Sequence, residues 1–177
     1  MANRTYLIQT STPVPVRYNP SSADVLADAK NCIPIYWYSL FDGSSIVQNS
    51  IEAGDGQTMI YPCFVMSTAD ARTRSQHRKK ILQRITPDSH ASVLAGWFRL
   101  LDGIQLPYVH LDTAEFCMID ESFNEHLVTS LLAFDSLEPS APFSTSPAWR
   151  EMLDVAQIDP DDFSGTVAAH KLAGFPR

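Results

Sequence analysis

Three dipeptides of one kind punctuate this 177-residue chain from residue 86 onward: Thr86-Pro87, Ser146-Pro147 and Asp159-Pro160. In each, a side chain that can accept from a free helix N–H precedes a proline. The fixed φ of that proline, and its missing N–H, suit the first helical position. Each pair therefore predicts a helix start. The first helix carries Val93, Leu94, Trp97, Leu100 and Leu101 on one face, with Gly103 just past its end. The second carries Trp149, Met152, Leu153 and Ala156. The third carries Phe163, Val167 and Leu172 and runs towards Gly174, with Asp161 and Asp162 in the first turn to complement the helix dipole. A further helix, capped by Asp120, has the clearest amphipathic pattern: Phe123, Leu127, Leu131 and Phe134 on one face, Val128 and Leu132 beside it.

Strand signals lie between these helices. Arg4 to Thr10 is rich in β-formers and is stopped by Ser11-Thr12-Pro13. Tyr108–Asp112 and Phe116–Ile119 read as short strands. Thr58 to Met66 reads as a central strand, although Pro62 removes a ladder donor. Ser22 is placed to cap a helix through Val25, Leu26 and Ala29, and the aromatic segment after Pro34 favours helix over strand. Gly43, Gly54 and Gly56 bound a loop-rich stretch, and Glu138 to Pro147 reads as a surface loop. Ser67, with Asp70 three residues on, caps a helix reaching Ile85, mostly facing solvent. These elements predict a single globular domain over residues 1–177, of α+β (or α/β) class, with about six helices on a small sheet of about three or four strands.

Charge is polarised along the chain. Residues 1–101 hold ten Lys/Arg against seven Asp/Glu, a net of +3, while residues 102–177 hold three against thirteen, a net of −10. Six basic residues crowd one stretch: Arg72, Arg74, Arg78, Lys79, Lys80 and Arg84. Only His77 interleaves with them as an aromatic group, and the chain is acidic overall, so nucleic acid is not the expected partner. Pairing of this stretch with the acidic half is at least as plausible a role. The acidic residues Asp112, Glu115, Asp120, Glu121 and Glu125 cluster in sequence and suggest a face that attracts a basic partner.

Chemistry-bearing motifs are sparse. The odd number of cysteines, Cys32, Cys63 and Cys117, sit among apolar neighbours and read as buried free thiols. Gly54-Asp55-Gly56 lacks the third glycine of a dinucleotide loop, and neither a phosphate-binding loop nor a His-Glu-x-x-His metal motif occurs. One constellation stands out. On a strand, His110 and Asp112 point to the same face, and with Glu115 they form a candidate metal-dependent hydrolase site. The plainer reading is a polar strand end, and it is preferred: no catalytic residue, no metal and no cofactor are expected. The N-terminal residues carry no secretory pattern, and the longest apolar run, Ile33 to Phe41, is too short to span a bilayer, which predicts a cytoplasmic chain without a membrane partner.

The opening Met1-Ala2-Asn3-Arg4-Thr5-Tyr6-Leu7 resembles the start of an uncharacterised bacterial family of small cytosolic proteins beginning Met-Ala-Asn-Arg-[Ser/Thr]-Tyr-Leu. Pro34-Ile35-Tyr36-Trp37 and Leu111-Asp112-Thr113-Ala114-Glu115 extend the resemblance. Some members are encoded beside secreted antibacterial toxins. The resemblance implies an immunity protein, a binder that neutralises a cognate protein toxin and has no catalytic residues of its own. A homodimer is a further expectation, with Tyr36-Trp37-Tyr38 as a conceivable interface patch or, more simply, core.

Overall fold

A computed structural model describes residues 3–15, 24–52, 56–118, 122–139, 147–158 and 168–176. The framework is an antiparallel sheet of five main strands: β1 (Arg4–Thr10), β2 (Val25–Lys30), β3 (Ile46–Glu52), β4 (Thr58–Ser67) and β5 (Tyr108–Asp112). A two-residue β6 (Phe175–Pro176) adds to its margin, giving the order β3-β4-β5-β1-β2-β6. The helices are α1 (Thr68–His77), α2 (Lys79–Ile85), α3 (Ala91–Asp102), α4 (Ala114–Cys117), α5 (Ser122–Asp135), α6 (Pro147–Val155) and α7 (Ala169–Ala173). The class is α+β. No described helix is long and apolar enough to cross a membrane.

The sheet is larger than its sequence suggests, for two reasons. Val25–Lys30 is a strand and not the helix that Ser22 predicts. Its Ala27 and Ala29 are buried in the main core, and Asp28 lies opposite Tyr6, held by an ion pair with Arg4. Tertiary partners here override a weak helical preference. Ile46–Glu52, inside the stretch read as loop-rich, pairs along its whole length with β4. In the opposite direction, Phe116 and Cys117 lie in α4, not in a strand. Asp112 Oδ1 accepts from the Ala114 N–H at 3.0 Å, an aspartate turn that directs the chain from β5 into a helix. β4 tolerates Pro62 because its ladder with β5 runs only from Phe64 to Ser67. The Pro62 carbonyl instead accepts from Thr113 Oγ1 at 2.6 Å.

The main core gathers Leu7, Phe64, Val109 and Leu111 from one sheet face with the buried segment Ile35–Leu40, a 3-10 turn. Tyr36, Trp37 and Tyr38 are among its largest wholly buried side chains, so that segment is core and offers no interface patch. Leu127, Leu131 and Phe134 of α5, Leu94, Trp97 and Leu101 of α3, and Trp149, Met152 and Leu153 of α6 are buried there, as their spacing predicts. Trp37 Nε1 donates to the Ala173 carbonyl at 2.9 Å. Gly174 follows with φ +78°, and a Cβ built on it would meet the Trp37 ring at 2.6 Å. Both the backbone and the close ring require glycine there.

The predicted capping is met in part. Ser67 Oγ accepts from the Asp70 N–H at 3.1 Å and starts α1. That helix breaks at Arg78 before α2, and does not run unbroken to Ile85. Thr86 does not cap α3: its hydroxyl donates back to the Leu82 carbonyl at 2.5 Å and meets the Tyr36 hydroxyl at 2.6 Å. A 3-10 turn over Asp88–His90 intervenes, and α3 begins at Ala91. α6 does begin at Pro147, while Ser146, Asp159-Pro160, Asp161, Asp162, Phe163 and Val167 lie outside the described residues.

Candidate functional site

The basic stretch is built into the fold. α1 has little apolar surface: only Thr68, Ala71 and Ser75 are buried. It is seated by polar contacts, with Ser75 Oγ 2.9 Å from Ser39 Oγ and accepting from Trp97 Nε1 at 3.3 Å. Arg72 and Arg74 on this helix, and Arg78 at its C-terminal cap, then reach outward to backbone carbonyls at the ends of other elements. Arg72 donates to the carbonyls of Leu101, Asp102 and Ile104 at 2.8, 3.1 and 2.7 Å, which closes the C-terminus of α3. Arg78 donates to the Leu137 and Asp135 carbonyls at 3.2 and 2.8 Å and to the Asp135 carboxylate at 2.9 Å, which closes α5. Helix C-termini leave carbonyls unpaired and carry partial negative charge, so a guanidinium fork satisfies both demands at once. Arg74 binds the Phe41 carbonyl at 2.7 Å and pairs with Asp42 and Asp135. Arg84 donates to the Pro139 carbonyl.

These contacts join the basic stretch to the acidic half through Asp135 and through backbone carbonyls. The carboxylates these arginines reach are those of Asp42 and Asp135. A cleft of about 550 Å³ runs beside α1, lined by Asp42, Asp70, Arg74, His77, Arg78 and Glu138 among others. Burial pushes the Asp42 carboxyl up, but hydrogen bonds from Ser44 and the nearby Arg74 guanidinium outweigh it and hold the group below its ordinary value. Burial lowers Arg74 and Arg78 against the attraction of Asp42 and Glu138 respectively. The cleft walls are thus mutually compensated charges.

The acidic cluster disperses in three dimensions. Asp112 is 2% exposed and bonded to the Ala114 N–H, which leaves it almost no surface for a partner. Glu115, on α4, is half-buried and accepts from the Arg4 N–H at 3.0 Å. Glu125, on the first turn of α5, is exposed. Asp120 and Glu121 lie outside the described residues. Close to Glu125, Asn124 Nδ2 donates to the Ile60 carbonyl at 3.4 Å, which ties the start of α5 to the outer end of β4. Ile60 is 61% exposed there, and Met118, just after α4, is 50% exposed. Both lie inside apolar runs read as strands, Thr58 to Met66 and Phe116 to Ile119, and such runs do not mark which of their members are left exposed.

His110 and Asp112 do share a sheet face, as strand alternation requires, opposite to the main core and beside Tyr6 and Ile8. His110 has no exposed surface, and burial pushes its pKa down to about 4. Glu115 turns away to Arg4. Among the described residues no three His, Cys, Asp or Glu side chains gather as metal ligands. All three thiols are buried and unbridged. Burial raises Cys63 to about 12, helped by Asp112 and Cys117, and raises Cys32 and Cys117 to about 11. Compared with protein families, curated proteins and solved structures, the chain matches none.

Proposed function

We propose that this is a binding protein of the immunity type, one that captures a cognate antibacterial protein toxin through an acidic, partly apolar face. The observation that carries this reading is the junction of α5 with β4, which Asn124 ties to the Ile60 carbonyl, with Glu125 exposed on the helix and Ile60 exposed on the strand. An apolar anchor rimmed by charge is how protein partners are gripped and steered. Among the described residues Glu125 enters no ion pair, so its charge is available to a basic toxin surface. The arginines of α1 support the reading too, since they are spent on carbonyls and Asp135 and do not cancel this carboxylate. The resemblance of the opening residues to toxin-neighbouring bacterial proteins supplies the partner class.

A growth assay tests the reading. Pull-down of the tagged chain from its source cells should recover a protein toxin, cells expressing that toxin should survive when the chain is co-expressed, and Glu125→Lys combined with Ile60→Asp should abolish survival while the variant stays folded. No protection by the unaltered chain, or full protection by the double variant, would count against it.

A further inference from the structure

The two ends of the sheet are finished differently. At one end β6 is two residues long and contains Pro176, both devices that stop another strand from adding on. At the other end β3 is seven residues long, Ile-Val-Gln-Asn-Ser-Ile-Glu, with no proline, no lysine and no register shift against β4. It is the edge strand among the described residues. Such an edge is a template for strand addition.

Three contacts fix which backbone groups face outward. Pro62 lies opposite Gln48 and has no N–H, so this pair is not hydrogen-bonded, and the N–H and C=O of Gln48 point away from β4. The Ser50 N–H is taken by the Asn49 side chain at 2.9 Å, so it too is outside the β4 ladder. The Val47 carbonyl accepts from Cys63 Sγ at 3.5 Å, on the β4 side. The even-numbered residues from 46 to 52 therefore present the free edge.

We propose that this edge pairs with β3 of a second copy of the chain, antiparallel and in one register. Full overlap of the strand with itself places Ile46 against Glu52, Val47 against Ile51, Gln48 against Ser50 and Asn49 against its own copy. Every outward-facing residue then meets an outward-facing residue, so the ladder closes without a slip. The side chains match as well. Val47 and Ile51 pair on one face, Gln48 and Ser50 on the other, and no two like charges meet. Two apolar pairs and two polar pairs thus meet in one register, and this self-complementarity of the strand is what points to a second copy as the occupant. Pairing requires only that Asn49 release the Ser50 N–H. It extends the sheet in its own plane and is independent of the toxin-binding reading.

Equilibrium sedimentation of the full chain over a concentration series tests the proposal. The unaltered chain should reach a dimer. Gln48→Lys/Ser50→Lys places lysine against lysine twice and should weaken the dimer roughly tenfold. Gln48→Lys/Ser50→Glu places opposite charges together in the same register and should restore it. Asn49→Cys should cross-link to its copy on mild oxidation, since a non-hydrogen-bonded pair brings the Cα atoms to about 4.5 Å. Val47→Cys, which is displaced along the strand from its copy, should not. A chain that stays monomeric, a dimer indifferent to the lysine pair, or cross-linking by Val47→Cys as readily as by Asn49→Cys would overturn the proposal.

Discussion

Replacing Arg78 by methionine isolates what the basic stretch does. The side chain is 20% exposed, and its guanidinium serves two carbonyls at the end of α5 and the Asp135 carboxylate. It also lies over the Phe134 ring, 5.8 Å from its centroid. Methionine keeps the aliphatic stem and removes only the fork. A hydrogen bond to a charged group contributes about 1.5–3 kcal/mol when buried, and an exposed pair below about 1 kcal/mol. With part of the carbonyl demand returned to water, the expected loss is about 2 kcal/mol, or about 4–8 °C in Tm for a chain of this length. Bonds aimed at carbonyls survive salt, so the loss should persist where the screening length is about 3 Å. Lys79→Met is the control. Lys79, next to Arg78 in sequence, carries an exposed ammonium 5.4 Å from the Phe98 ring centre, and its removal should cost less than about 1 kcal/mol. Thermal and urea unfolding at low and high salt measure both. Equal effects for the two variants, or an Arg78→Met loss that vanishes in salt, would refute the clamp and return the stretch to the role of a solvated charged surface.

Other consequences are equally direct. Gly174→Ala should cost about 1–3 kcal/mol in urea unfolding, because the new methyl meets both Trp37 and an unfavourable φ. His110, held neutral down to about pH 4, binds its proton first in the unfolded chain, whose value is near 6.5. Its contribution is therefore intact above pH 6.5 and falls as pH drops from 6.5 towards 4, by up to about 3 kcal/mol, a slope that His110→Gln should remove. The three thiols should resist a thiol reagent at pH 8 in the native chain and react fully in denaturant, since burial holds each at about 11 or 12. Fast native labelling would show that burial does not protect them.

Sequence signals were legible where local physics and tertiary need agree. β1 and β5 follow from runs of β-formers, α5 from a full apolar stripe, and the Ser67 cap from its partner Asp70. Val25–Lys30 misleads because leucine and two alanines favour a helix in isolation, while the sheet needs small side chains at 27 and 29. Phe116 and Cys117 mislead in the reverse sense, although Asp112 before Thr113-Ala114 carries a turn signal that a closer reading could use. The acidic cluster is contiguous only in sequence, because strand, turn and helix point its members to different environments. The arginine clamps are invisible to any local rule, since their acceptors are backbone carbonyls up to 59 residues away.

Amide hydrogen exchange of the chain with and without the proposed toxin partner addresses the central claim most directly. Binding through the α5–β4 junction predicts slowed exchange over residues 122–128 and 58–61, with the carbonyl-clamped α1 unchanged. Protection confined to α1 and its cleft, with the junction exchanging as in the free chain, would contradict it.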